Sequence, residues 1–479
     1  MNVKRVISIL TAFCMCLLCA AAAPAAEAEP ETASVPAEYD GFLVSVSATP
    51  PAAAKGRLAE RANASLEPVF GDVYWTKDEA YAKRLLDSGL ADYIEPNYIA
   101  TLFDVPASGL DWPREAVRAD YADTLGLDGA GVRVAVIDSG VDANNPDLRE
   151  AHIVEGYDYI NETTTMQDDL YHGTKVTQLI CGDDNGLGVT GIAPGCELVP
   201  LRCFAPSSGG DVKTLARAIV DAAETYHCDI VNMSWGFSGN SATLLQAIRT
   251  ADAAGCVLVA ACGNVSTSYS QYSVLYPAAY DEVISVASVD QTLNSASTSM
   301  KNSYVTVCAP GKDITFTAAD GTAQTGSGTS FASPCVAAAL ALVKQYAPAL
   351  SGGDCMELLR TRAVDLGETG YDITYGYGLL RMDLLLADHS ARLEAGSGDS
   401  SDRFFASVLR PEGGAVVVAC YDSQGRMCSA YSSRWQQYFS AASLELPAEA
   451  VRCSAFFLSS DGTPLYEAAS LNLSGSAQP

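Results

Sequence analysis

A chain of 479 residues, 48% of them hydrophobic, is long enough to bury one large core and still supply one or two smaller domains. Its 57 acidic and 29 basic side chains leave a formal charge of -28, a surface that repels phosphate backbones and excludes a nucleic-acid partner. Lys4 and Arg5 lead into an apolar run from Val6 to Ala23, closed by small residues through Ala26. This pattern predicts a secretory signal peptide over residues 1–26, cut near Ala25 or Ala26. The competing reading, an uncleaved signal anchor, fits the Ala-x-Ala end less well. Cys14, Cys16 and Cys19 follow Phe13, Met15 and Leu18 rather than small residues, which argues against lipid attachment. No second apolar run reaches membrane-spanning length, so a soluble, extracellular product with no stable membrane anchor is expected. The remaining twelve cysteines are scattered without tight spacing. Several sit among Ala, Val and Ile, where a thiol behaves as a small hydrophobe, and most read as unpaired packing residues.

Residues 38–102 read as a small α+β unit: a strand from Phe42 to Ser47, an Ala- and Arg-bearing helix, a helix near Lys77 to Ser88, and a strand from Tyr93 to Ala100. After the loop at Ala107 to Leu110, the near-continuous apolar run Val132 to Ile137 is a strand of the buried parallel type. Apolar strands then alternate with helical periods: Leu198–Cys203, a helix over 212–226, Ile230–Met233, a helix over 242–254, Val257–Ala261 and Val283–Ala287. The alternation predicts an α/β domain over 112–390, a parallel sheet with helices on both faces. A Gly-, Ser- and Asp-rich link (395–401) leads to 399–479. There the strand Ala415 to Tyr421 turns at residues 422–425, and a small antiparallel all-β domain is expected.

Asp138 ends the strand Val-Arg-Val-Ala-Val-Ile, where α/β sheets place their sites, although carboxylates there are often only helix caps. His172, in Tyr-His-Gly-Thr, precedes the apolar helix Val176 to Cys181. Ser330 lies in Gly328-Thr-Ser-Phe-Ala-Ser-Pro334, ahead of a long apolar helix from Cys335 to Tyr346, so a helix dipole favours negative charge near it. Each alone has a structural explanation. Together they supply the nucleophile, base and orienting carboxylate that acyl transfer needs, in the chain order Asp, His, Ser.

These three segments resemble the active-site signatures of the subtilisin-like serine proteases, the subtilases. The resemblance extends from about 112 to 388 through Ile192-Ala-Pro194, Val231-Asn-Met-Ser-Trp-Gly236, Ala309-Pro-Gly311 and Tyr375-Gly-Tyr-Gly-Leu379. It implies a triad of Asp138, His172 and Ser330, with Asn264 donating its amide to the oxyanion beside the Ser330 N–H. It implies that Ser234, Trp235 and Gly236 pair with an extended polypeptide substrate, lining the pocket with Ala261, Cys262 and Gly263. Trp235 stands where an aliphatic residue is more usual, and Leu275 where a small residue often opens the pocket floor. The indole either walls a narrowed pocket or merely packs.

Asp147 and the loop carrying Asp183, Asn185, Leu187 and Val189 resemble a structural calcium site of hard oxygen ligands. Lys175-Val-Thr177-Gln178 departs from the family pattern by putting bulk behind the histidine. Residues 38–102 resemble the propeptide of these proteases, an intramolecular inhibitor and folding template, with maturation expected between Ala100 and Asp111. Such a template suits a large parallel sheet, whose non-local contacts fold slowly. A different class, an inactive subtilase-like scaffold whose β domain binds a partner, stays open at this level.

Overall fold

The computed structural model describes residues 39–46, 66–98, 101–102, 112–206, 209–394, 403–410, 414–435, 438–459, 464–466 and 468–473. The predicted signal peptide, the first helix expected before residue 66, and the link at 395–401 lie outside the described residues.

Strands β1 (Tyr39–Val46), β2 (Glu67–Phe70), β3 (Val73–Thr76) and β4 (Ala91–Tyr98) form an antiparallel sheet in the order β2-β3-β1-β4. Helix α1 (Glu79–Asp87) covers one face through Ala82 and Leu85, and Asp78 caps it by accepting from Tyr81 N–H. Strand β5 (Thr101–Leu102) follows and pairs elsewhere, as described below.

The central sheet is built from β6 (Arg133–Asp138), β7 (His152–Ile153), β8 (Tyr157–Asp158), β9 (Glu197–Arg202), β10 (Ile230–Met233), β12 (Val257–Ala261), β13 (Val283–Val289) and β14 (Val307–Pro310). The short β11 (Trp235–Gly236) lies outside it. Its order is β14-β13-β12-β10-β6-β9-β7, with β8 also on β9, and every pairing is parallel. Because side chains alternate across a strand, Val134 and Val136 enter one core while Ala135 and Ile137 enter the other. The first core holds α2 (His172–Cys181) and α5 (Thr329–Tyr346); the second holds α3 (Val212–Glu224) and α4 (Ala242–Ala253). Helix α5 is buried along almost its whole length, and its alanines at 332, 337–339 and 341 let it lie close against the sheet. The thiols are part of this packing. Eleven of the twelve cysteines from Cys181 onward are buried, and burial pushes Cys256 and Cys355 up to about 12, so they stay protonated and inert.

Beyond β15 (Ile314–Thr317), β16 (Ala323–Gly326) and α6 (Gly352–Arg362), the last part of the chain is all β. Strands β17 (His389–Glu394), β18 (Arg403–Arg410) and β21 (Tyr438–Glu445) make one sheet. Strands β20 (Met427–Trp435), β19 (Gly414–Tyr421), β22 (Arg452–Ser459) and β23 (Ala469–Asn472) make another. Phe404, Val408, Val416, Val418 and Phe457 form a shared core. This sandwich is fastened to the peptidase domain. Leu409 reaches the large core, and Arg362, 2% exposed, donates from Nε to Ser407 Oγ at 3.1 Å. The same guanidinium donates to the carbonyls of Leu384, Leu385 and Ala387. Burial pushes its pKa down to about 9, against the opposing field of Asp388, so it remains a cation at neutral pH.

Arg362→Ala is expected to cost roughly 2–3 kcal/mol, the order of one hydrogen bond to a charged group. Thermal unfolding with limited proteolysis checks this: the variant should release a C-terminal fragment at a lower temperature than the wild type.

Candidate active site

Strand β6 ends on Asp138, fully buried between the two cores. Its Oδ1 accepts from Ser139 N–H at 2.7 Å and lies 2.8 Å from His172 Nδ1. A carboxylate so placed holds the proton on Nδ1 and leaves Nε2 as the basic nitrogen. The chain can turn here only with glycine. A Cβ on Gly140, whose φ is +104°, would stand 1.9 Å from Gln167 O.

His172 is the first residue of α2, four residues earlier than the apolar pattern suggests; Tyr171 is the N-cap, and the first-turn N–H of Thr174 is met from outside the helix by Asp168. Asp168 Oδ1 accepts from Tyr171 N–H at 2.7 Å, and Oδ2 accepts from Thr174 N–H and Oγ1–H at 2.8 and 2.6 Å. Burial raises the Asp168 pKa, and the Thr174 bonds work against that rise. Gly173 is explained by proximity: a Cβ there would lie 2.2 Å from Gly140 O and 3.2 Å from Asp138 Oδ1. The bulk behind the histidine also has a use. Gln178 donates from Nε2 to Thr317 O at 2.9 Å and accepts from Thr317 N–H at 2.8 Å, extending the hydrogen bonding of β15 with a side chain.

Ser330 lies in the first turn of α5, which begins at Thr329 rather than at Cys335. Pro334 has no N–H, so the Ser330 carbonyl four residues earlier lacks its usual helical donor. Ser234 Oγ takes that role at 2.8 Å, while Ser330 Oγ donates to Ser234 O at 2.9 Å. Asn232 Nδ2 donates to Ser234 Oγ at 3.0 Å, and Ser333 Oγ donates to Asn232 Oδ1 at 2.7 Å, making a buried chain of polar groups. The His172 ring lies beside Phe331, with centroids 5.8 Å apart. A hydroxyl has one proton to donate, so Ser330 must release Ser234 O to engage the imidazole.

Asn264 is 4% exposed. Its Oδ1 accepts from Thr329 N–H at 3.0 Å and Oγ1–H at 3.1 Å, which fixes which way the amide points. The other end, Nδ2, is buried with no hydrogen-bond partner among the described residues. It is an unengaged donor next to the segment that carries Ser330, the kind of group a developing oxyanion requires.

The candidate substrate residues divide between backbone and core. Trp235 is fully buried, its indole donating to Ile137 O at 2.9 Å, with Phe204 6.2 Å away. Of the two readings of Trp235, packing describes the side chain. Its backbone pairs with Leu102, and Gly236 pairs with Thr101, in an antiparallel ribbon. Ala261 ends β12, and Cys262 Sγ faces Met300 O at 3.6 Å. Burial pushes the Cys262 thiol up to about 12. Leu275 and Met300 pack directly on Gly263, where a Cβ would approach them to 2.7 and 2.6 Å.

Among the candidate calcium residues, Asp147 is fully buried and Val189 nearly so, while Leu187 is exposed. Asp183 accepts from Glu150 N–H through both oxygens, and its own N–H donates to Asp147 O at 2.9 Å. Asn185 donates to Pro146 O at 3.2 Å and accepts from Leu187 N–H at 2.8 Å. Among the described residues, no group of three or more His, Cys, Asp or Glu side chains converges as a metal site. Sequence reasoning passed over Asn232, Asp168 and Arg202. The Asn of Val231-Asn-Met-Ser was in view, but only the fold shows what it touches.

The architecture is a doubly covered parallel α/β sheet with buried Asp138, His172 and Ser330 gathered at its carboxyl edge, where such sheets place their sites. The subtilase family pattern matches residues 129–378, just over half of the chain, and the chain belongs to that family. Subtilisin DY from Bacillus licheniformis is 36% identical over 267 residues, which cover 56% of this chain and 95% of that protein. The minor extracellular protease Epr of Bacillus subtilis (strain 168) is 35% identical over 318 residues, 64% of this chain but only 48% of Epr. Fervidolysin from Fervidobacterium pennivorans, a keratinolytic enzyme related to subtilisin, shares the fold. Its crystal structure aligns at a TM-score of 0.65 and 18% identity, covering 88% of this chain and 87% of that one. The protein is a subtilisin-like serine peptidase.

Asn264→Ala is expected to lower kcat by about a hundredfold to a thousandfold with KM little changed, the loss found on removing one oxyanion donor in subtilisin itself. Steady-state hydrolysis of a chromogenic peptide measures it.

Proposed function

We propose that this chain is a secreted serine endopeptidase, made as a precursor that processes itself. The observation that carries the reading is the buried 2.8 Å contact between His172 Nδ1 and Asp138 Oδ1, with Ser330 and the Thr329-locked amide of Asn264 alongside. His172 takes the Ser330 proton as Ser330 Oγ attacks the substrate carbonyl. The tetrahedral oxyanion is met by Asn264 Nδ2 and the Ser330 N–H. Collapse breaks the C–N bond, and His172 returns the proton to the leaving amine. Water then attacks the acyl-enzyme by the same route in reverse. Asp138 keeps the imidazole in one tautomer throughout.

Residues 38–102 serve in this reading as the intramolecular inhibitor. Glu95 on β4 supports it: its carboxylate accepts from Ser241 Oγ and Thr243 N–H, both at 2.7 Å, and from Ala242 N–H, at the amino end of α4. Asn97 Oδ1 accepts from Lys213 N–H at the start of α3, also at 2.7 Å. A carboxylate on a helix amino terminus is favoured by the unpaired N–H groups and by the dipole. The antiparallel pairing of Thr101–Leu102 with Trp235–Gly236 is the strand addition expected of an extended substrate. Leu102 opposes Trp235, one residue beyond Ser234, whose carbonyl holds the Ser330 hydroxyl. Substrate pairing in that register would carry a chain toward Ser330.

Ser330→Ala is expected to leave the precursor at full size while the wild type loses its propeptide, with N-terminal sequencing of the product placing the cut between Ala100 and Asp111. Equal processing of both proteins, with no fluorophosphonate labelling of the wild type, would instead favour the inactive scaffold reading.

A calcium ion fits the Asp147 region. A Cβ on Gly188 would stand 2.7 Å from Asp147 Oδ2 and 2.5 Å from Thr317 Oγ1, so glycine leaves a small cradle among hard oxygens. Thr317 Oγ1 is buried there with no hydrogen-bond partner among the described residues. Asp147, Asn185 and the carbonyls of Leu187 and Val189 would hold the ion, with Asp183 bracing the loop. Bound calcium would supply charge neutralisation and a rigid loop, not chemistry. Chelation is expected to lower the melting temperature by several degrees, restored by added calcium; an unchanged melting curve would remove the ion from the reading.

A further inference from the structure

Arg202 is a cation 1% exposed, on the strand beside the one that carries Asp138 and in register with it. Its guanidinium is spent in three directions. Nε donates to Ser139 O at 3.1 Å, one NH2 group to Asp158 Oδ2 at 2.7 Å, and the other to Asp169 Oδ2 at 2.7 Å. Asp158 is fully buried on β8 and also accepts from Ile160 N–H, Asn161 N–H and Asn161 Nδ2. Burial works to raise the Asp158 pKa, but the bonds from Arg202 and Asn161 prevail and hold it below the ordinary value.

Two of the acceptors flank the two halves of the candidate site, and the third, Asp158, ends β8 ahead of the segment that leads to Asp169. Ser139 follows Asp138 directly, and its Oγ also accepts from Gly173 N–H at 2.9 Å. Asp169 stands three residues before His172 and next to Asp168, which accepts from the first turn of α2. The segment between Asp158 and Asp169 passes over Gly140, with Gln167 O where a Cβ would otherwise lie. One rigid, planar cation thus fastens the strand end bearing the carboxylate to the loop that presents the imidazole.

We propose that Arg202 is a positioning residue for the peptidase reaction: by tying Ser139 to Asp158 and Asp169, it sets the approach of His172 to Asp138. The proposal rests on the triad reading given above. Lysine could keep the charge but not the three directed donors, since an ammonium lacks the fixed fork of a guanidinium.

The test uses the full-length protein. Removing Arg202 alone would strand the buried Asp158 charge, so Arg202→Met is combined with Asp158→Asn, and Arg202→Lys is made separately. Active sites are counted by fluorophosphonate titration, so that misfolded material does not enter the rate. Peptide hydrolysis then gives kcat per site and KM, and proton NMR follows the low-field Nδ1 resonance of His172. The expected result is a fall in kcat of about a hundredfold in the double variant at unchanged KM, as for a reacting group displaced by about 1 Å. Arg202→Lys should fall between it and the wild type, and the Nδ1 resonance should move upfield in both. A double variant that turns over at the wild-type rate per titrated site, or that loses only KM, overturns the positioning role and leaves the triad standing. A wild type that takes up no fluorophosphonate overturns the triad reading and this proposal with it.

Discussion

Two backbones meet at the end of β6 more closely than any side chain permits. Gln167 O occupies the place of a Gly140 Cβ, and Gly140 O crowds the place of a Gly173 Cβ. This contact brings the first turn of α2 down onto the strand end, and the rest of the site follows from it. Asp138 can then reach the Nδ1 side of the ring, Ser139 Oγ can accept from Gly173 N–H, and Asp168 is left to cap the helix from outside. The two glycines thus matter for the space they leave empty.

A second economy is at work around Ser330. Pro334 removes a hydrogen bond from α5, and the vacated carbonyl of Ser330 becomes an attachment point for Ser234. The proline therefore does more than punctuate a helix: it frees a carbonyl so that Ser234, just ahead of the strand at 235–236, is bolted to the backbone of Ser330. Ser234, Ser330, Asn232 and Ser333 are thus joined in one buried hydrogen-bonded chain.

Much of this was readable before any coordinates. Buried parallel strands write themselves as apolar runs, so Ile230–Met233 and Val257–Ala261 match their predicted bounds. The starts of α3 and α4 match the expected residues 212 and 242, whereas α2 and α5 open ahead of their apolar runs, on His172 and Thr329, polar residues stabilised by partners that hydropathy does not show. Trp235 could not be decided, because an indole that donates to Ile137 O and one that walls a pocket have the same spelling. Arg202 was invisible for a related reason. A lone arginine in an apolar strand has no local signature, and its meaning comes from Asp158 and Asp169, which only the folded chain brings to it.

The seating of Arg362 carries a consequence for how the chain can be shortened or recombined. Its acceptors lie on both sides of the unlabelled seam between peptidase and β sandwich, and Leu409 completes the larger core from the far side of that seam. A cut after residue 394 would take Ser407 from the buried guanidinium, leaving it the carbonyls of Leu384, Leu385 and Ala387, and would remove Leu409 from the larger core. The sandwich, which lies beyond the family match ending at residue 378, is thus coupled to the peptidase interior through one side chain of its own and one hydrogen bond rather than hanging from a bare linker.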